Sequence, residues 1–126
     1  MSDAGQKESE MLWYLASPYT KYPEGIDAAF NEVCRVAGEM IKRGFLIYSP
    51  IAHTHPIALS ADMDPLDYRI WQACDAPMVR ACDGLFVVKM PTWDSSKGVS
   101  HEIDQFAAAR KVIRFLTWPD LKIEER

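Results

Sequence analysis

Long apolar runs are missing from this sequence: none approaches the ~18 residues of a membrane-spanning helix, so no membrane association is expected. No basic segment followed by an apolar one stands near the start, and the protein is expected to stay unexported and cytoplasmic. Clustered basic charge is also lacking. Lys and Arg number 14 against 18 Asp and Glu, for a formal net charge of -4. With no Lys/Arg run and no general attraction for a polyanion, a nucleic acid polymer is not an expected partner. A small anionic ligand stays open, because a local cluster of donors binds phosphate whatever the net charge. Cysteine is scarce. Cys34, Cys74 and Cys82 form no C-x-x-C pair, and buried reduced thiols are expected rather than disulfides. Internal repeats, linkers and low-complexity segments are absent as well.

What remains is an ordinary globular composition, 48% hydrophobic and 25% charged over 126 residues, which suits one domain with its own core. Residues 1–10 are polar and read as a disordered lead-in, with a single domain over 11–126. Four runs rich in apolar residues read as strands, the first of them buried: Met11–Ala16, Phe45–Tyr48, Leu85–Val88 and Val112–Leu116. The first two end in Ser-Pro. Between the first two strands, Phe30, Val33, Ala37, Met40 and Ile41 recur at helical spacing, with Asp27 as a cap and Gly44 just past the end. Ser49-Pro50 is expected to open a polar loop holding His53, Thr54 and His55. Asp64-Pro65 then starts a helix through Leu66, Ile70 and Cys74, which Pro77 is expected to break or kink. Continuous apolar strands alternating with helices predict an α/β fold with a parallel sheet of four to five strands covered on both faces. In such sheets the ligand crevice lies beyond the carboxyl ends of the strands.

The stretch with the most chemistry is Asp94-Ser95-Ser96-Lys97-Gly98-Val99-Ser100-His101-Glu102, a small-residue loop that leads into a helix. Free N–H groups and Ser hydroxyls at a helix N-terminus form an anion site, so Ser95, Ser96 and Gly98 are candidate phosphate contacts. On a wheel of ~100° per residue with Val99 at zero, Ile103 and Phe106 lie within ~40° and Glu102 near -60°. Glu102 thus borders the buried stripe, while His101 and Asp104 are expected on the solvated side. Glu102 is either a nucleophile or base, or an acid that merely complements the helix dipole. Asp75 is either a second carboxylate, as glycosidic chemistry needs, or an N-cap before Pro77. Asp83, before Gly84, reads as a turn residue. Ser17 and Tyr19, after the first strand, and His53 and His55, after the second, are candidate ligand contacts. H-x-H could also bind a metal, but no third ligand is placed, so no metal and no cofactor is expected. Tyr14 reads as core with a hydroxyl able to reach the crevice. Of the four tryptophans, Trp93 alone is expected to border the site.

Taken together, Tyr14-Leu15-Ala16-Ser17-Pro18-Tyr19, Asp75 with Asp83, and Ser96-x-Gly98 with Glu102 resemble the nucleoside 2-deoxyribosyltransferase superfamily, and more narrowly an uncharacterised domain-of-unknown-function branch of it. The likeness runs from Leu12 to about Leu116. It implies a flavodoxin-like three-layer sandwich, a homodimer or higher homo-oligomer, and three catalytic roles. Glu102 would attack the anomeric carbon, Asp75 would assist the base and Tyr14 would orient the glutamate. Where transferases acting on free nucleosides carry an aspartate six residues before that glutamate, this chain has Ser96, which resembles the nucleoside 5′-monophosphate N-glycosidases. A hydroxyl donates to phosphate where a carboxylate would repel it. The histidine segment Pro50–Pro56 has no counterpart in either group. The expected function is hydrolysis of the N-glycosidic bond of a (deoxy)nucleoside 5′-monophosphate. Base exchange and a catalytically silent nucleotide-binding module are the alternatives.

Overall fold

A computed structural model describes residues 7–124; the first six residues of the expected lead-in lie outside them. The last three of that lead-in, Glu8–Glu10, form a 3-10 turn. The Glu8 carbonyl accepts from Trp13 Nε1 at 2.7 Å, and its carboxylate pairs with Arg114 at 2.6 Å.

The strands are β1 (Leu12–Ala16), β2 (Leu46–Tyr48), β3 (Gly84–Val88) and β4 (Val112–Leu116). They form one all-parallel sheet in the order β2-β1-β3-β4. The helices are α1 (Ile26–Lys42), α2 (Pro50–Ser60), α3 (Tyr68–Ala81) and α4 (Lys97–Ala108). Strand alternation sorts the core into two layers. Trp13, Leu15, Phe86 and Val88 face one way, onto Ala29, Val33, Val36 and Met40 of α1. Tyr14, Ala16, Leu85 and Val87 face the other, onto Val79 of α3 and Val99 and Phe106 of α4. This is a flavodoxin-like three-layer fold. Gly84 is required by packing, since a Cβ there would come within 2.7 Å of the Trp13 ring. Gly44, at φ +101°, reverses the chain just after α1. Asp83 does more than turn the chain: its Oδ2 accepts from Leu12 N at 2.8 Å and fixes the entry of β1.

Four expectations are corrected. Asp27 does not cap α1: Gly25 holds that position and Asp27 lies within the first turn. The histidine segment is no loop: Ser49 Oγ accepts from Ala52 N, Pro50 occupies the first turn, and helix α2 runs through both histidines. Ser-Pro ends the strand by starting the helix. Asp64 caps only a turn, accepting from Leu66 N at 2.9 Å, and α3 begins at Tyr68. Pro77 does not break α3 either. Ala73, whose carbonyl loses its partner, and Pro77 both lie on the exposed side of the helix, where solvent is free to take the place of the missing N–H. Among the described residues no helix is long and apolar enough to cross a membrane.

Candidate active site

The chain passes from β1 to β2 on one side and then back across to β3, so the topological switch point lies between β1 and β3. A cavity of about 570 Å³ opens there, within the usual range for small-molecule sites. Ser17, Tyr19 and Lys21 reach it from the loop after β1, Ser96 and Gly98 from the start of α4, and Trp71, Gln72 and Asp75 from α3.

At the inner end of the cavity Tyr14, fully buried on β1, donates its hydroxyl to Glu102 Oε2 at 2.7 Å. Glu102 lies one turn inside α4, on the seam between the sheet and the cavity. Burial pushes its carboxyl up to about 8, the bond from Tyr14 holds it back, and the neighbouring charge of Asp75 raises it further. Asp75 is pushed up to about 6 by burial. Its Oδ1 is buried without a hydrogen-bond partner among the described residues, so the helix-cap reading of Asp75 fails: it projects from the middle of α3. The Tyr14 hydroxyl is raised far above its ordinary range, by burial first and then by both carboxyl groups, and stays a proton donor.

Ser17 is buried at the cavity wall, and its Oγ has no hydrogen-bond partner among the described residues. Ser96 caps α4, its Oγ accepting from Val99 N at 3.2 Å, which leaves the hydroxyl proton available to a ligand. Tyr19 lines the cavity as well. Ser95 does not: it is exposed, its hydroxyl donates to Thr92 O, and its carbonyl receives Lys21 Nζ at 3.3 Å. His53 is exposed beside the Tyr48 ring, and His55 is buried behind Tyr19, so neither reaches the cavity wall, although Thr54 between them does.

Several lining residues escaped sequence reasoning. His101, expected in solvent, is half-buried and pairs with Gln72 Nε2 at 2.7 Å, because α3 packs against that side of α4. Trp71 borders the cavity in place of Trp93, whose ring packs edge-on against Phe115. Lys21 and Lys97 add positive charge to the lining; they were unremarkable as isolated lysines. Among the described residues no group of three or more His, Cys, Asp or Glu side chains could hold a metal ion.

The family described as Domain of unknown function (DUF1937) matches residues 11–117, from the start of β1 to the end of β4. The chain belongs to the DUF1937 family. No curated protein matches it. In this DUF1937 domain, then, a tyrosine-bound carboxyl group and a second buried carboxyl group share an apolar-walled cavity, with hydroxyls and two lysines also on its wall.

Proposed function

We propose that this protein hydrolyses the N-glycosidic bond of a (deoxy)nucleoside 5′-monophosphate. The observation that carries the reading is the set of Tyr14, Glu102 and Asp75 in one cavity, with Glu102 hydrogen-bonded and both carboxyl groups perturbed by burial. It agrees with the resemblance to the deoxyribosyltransferase superfamily, which assigns these positions the same roles. The Glu102 carboxylate attacks the anomeric carbon as the carbon–nitrogen bond breaks, and Asp75 gives its proton to the departing base. Water then cleaves the glycosyl ester and returns a proton to Asp75. The products are free base and sugar 5-phosphate. Ser17, Ser96, the N–H groups at the start of α4, Lys21 and Lys97 supply donors and positive charge for the phosphate.

Chromatography of a panel of nucleosides and their monophosphates after incubation tests this directly. Base release from a monophosphate is expected, and its absence across the panel would remove the reading. A new nucleotide formed on addition of a second free base would assign transfer in place of hydrolysis.

Ser96→Ala is expected to narrow the preference for monophosphate over nucleoside by roughly ten- to a hundredfold, the worth of one charge-assisted hydrogen bond. Because Ser96 also caps α4, the variant should lose about 1 kcal/mol of stability. Equal use of nucleoside and monophosphate by the wild type would remove the argument from phosphate.

A further inference from the structure

His55 is among the few buried polar side chains and has a definite geometry. Its Nε2 lies 3.1 Å from Asp27 Oδ1, its Nδ1 lies 2.5 Å from the Tyr19 hydroxyl, and Phe30 stacks on the ring at 4.5 Å between centroids, fixing its plane. An ionised carboxylate only accepts hydrogen bonds, so Nε2 carries the proton that faces Asp27. A neutral imidazole then has its lone pair on Nδ1, and the Tyr19 hydroxyl must donate to it. The hydroxyl proton is thereby taken up, and the lone pairs of the Tyr19 oxygen are left for the cavity that the residue lines.

We infer that Asp27 and His55 are positioning residues that hold Tyr19 as a hydrogen-bond acceptor, so that the site selects ligands carrying a donor, an O–H or N–H group, at that point. Deepening the reading above, the donor is either a sugar hydroxyl or an amino or ring N–H group of the base. Tyr19 contacts the ligand directly, whereas His55 and Asp27 act through it. The histidines therefore enter recognition at one remove, through His55 alone.

Two measurements test this, and the first needs no ligand. Nitrogen-15 NMR of the free protein at pH 8 to 9, where an imidazole is ordinarily neutral, is expected to show His55 protonated on Nε2 and bare on Nδ1. Asp27→Asn, which can donate as well as accept, is expected to mix the two tautomers; Asp27 is exposed, so the fold should tolerate the change. A proton on Nδ1 of the wild type at pH 8 to 9, alone or with one on Nε2, overturns the inference whatever the enzyme acts on. The second measurement is calorimetric binding of monophosphates differing by one donor: ribose against 2′- and 3′-deoxyribose, and amino against oxo bases. Tyr19→Phe is expected to weaken binding about three- to tenfold for compounds that keep the relevant donor and to leave those lacking it unchanged. The arm that loses its discrimination tells sugar from base. Uniform weakening, or none, overturns the inference. Binding is read without turnover, so a protein that binds monophosphates without cleaving them would refute the proposed hydrolysis and leave this inference standing.

Discussion

Glu102→Gln is expected to lower base release by about 10³-fold or more, and to make the protein more stable than the wild type above neutral pH. The first effect follows from chemistry, since an amide of the same shape still accepts the Tyr14 hydrogen bond but does not form the glycosyl ester. The second follows from linkage. Glu102 binds its proton more tightly in the folded protein, at about 8 against an ordinary 4.5, because burial penalises its charge. Its contribution to stability is complete below pH 4.5 and is lost as pH rises through about 8. Glutamine never ionises and escapes that loss. The melting temperatures of variant and wild type should therefore coincide near pH 4 and separate by several degrees near pH 9, a difference on the order of a few kcal/mol. Thermal melts at pH 4, 6 and 9, beside activity assays on the same samples, check both halves. Wild-type turnover in the variant would end the nucleophile assignment, and identical melting curves at pH 9 would show that the carboxylate is not buried.

Those two consequences rest on a position that periodicity alone had located. Glu102 fell beside the Val99–Phe106 stripe on an ideal wheel, and Tyr14 fell on the inward alternation of a strand whose burial its unbroken apolar run announced. The sheet was equally legible, because three strands are unbroken apolar runs and the fourth is interrupted only by Arg114, each closed by Ser-Pro, a polar turn or a charge. Helix α2 was hidden for a physical reason. Its apolar residues, among them Ile51, Ile57, Ala58 and Leu59, are spread around the circumference and give no stripe, and Ser49-Pro50 stops a strand and caps a helix equally well. Reading that segment as a loop gave His53 and His55 a shared role. On a helix two residues apart they point ~200° from each other, which is why one is exposed and the other is 3% exposed. Asp75 was obscured by Pro77, and His101 by a wheel that takes every surface away from its own stripe to be solvent. Where a second helix packs on that surface, polar residues become cavity lining.

The pH dependence of base release should be a bell with limbs near 6 and 8, and Tyr14 should govern the upper one. Two neighbouring carboxyl groups titrate as a pair. Below about 6 both Asp75 and Glu102 hold protons, and no nucleophile is present; above about 8 neither does, and the base departs without an acid. Between the limbs the pair holds one proton, which favours Glu102, the more buried group. Catalysis needs the opposite arrangement, with the charge on Glu102 and the proton on Asp75. The Tyr14 hydroxyl, held to Glu102 Oε2 at 2.7 Å and itself too strongly raised to ionise, favours that arrangement by donating to the charged form. Tyr14→Phe removes the donor, so Glu102 should hold its proton more firmly, the alkaline limb should move upward, and the maximum rate should fall roughly ten- to a hundredfold. Asp75→Asn should behave differently. With no acid to lose, the falling limb disappears, and the rate, lowered about 10²- to 10⁴-fold, rises with pH to a plateau as Glu102 ionises. Single-turnover assays with one monophosphate from pH 5 to 9 separate these profiles. A flat wild-type profile, or a Tyr14→Phe limb that stays near 8, would show that the proton on this pair does not control the reaction.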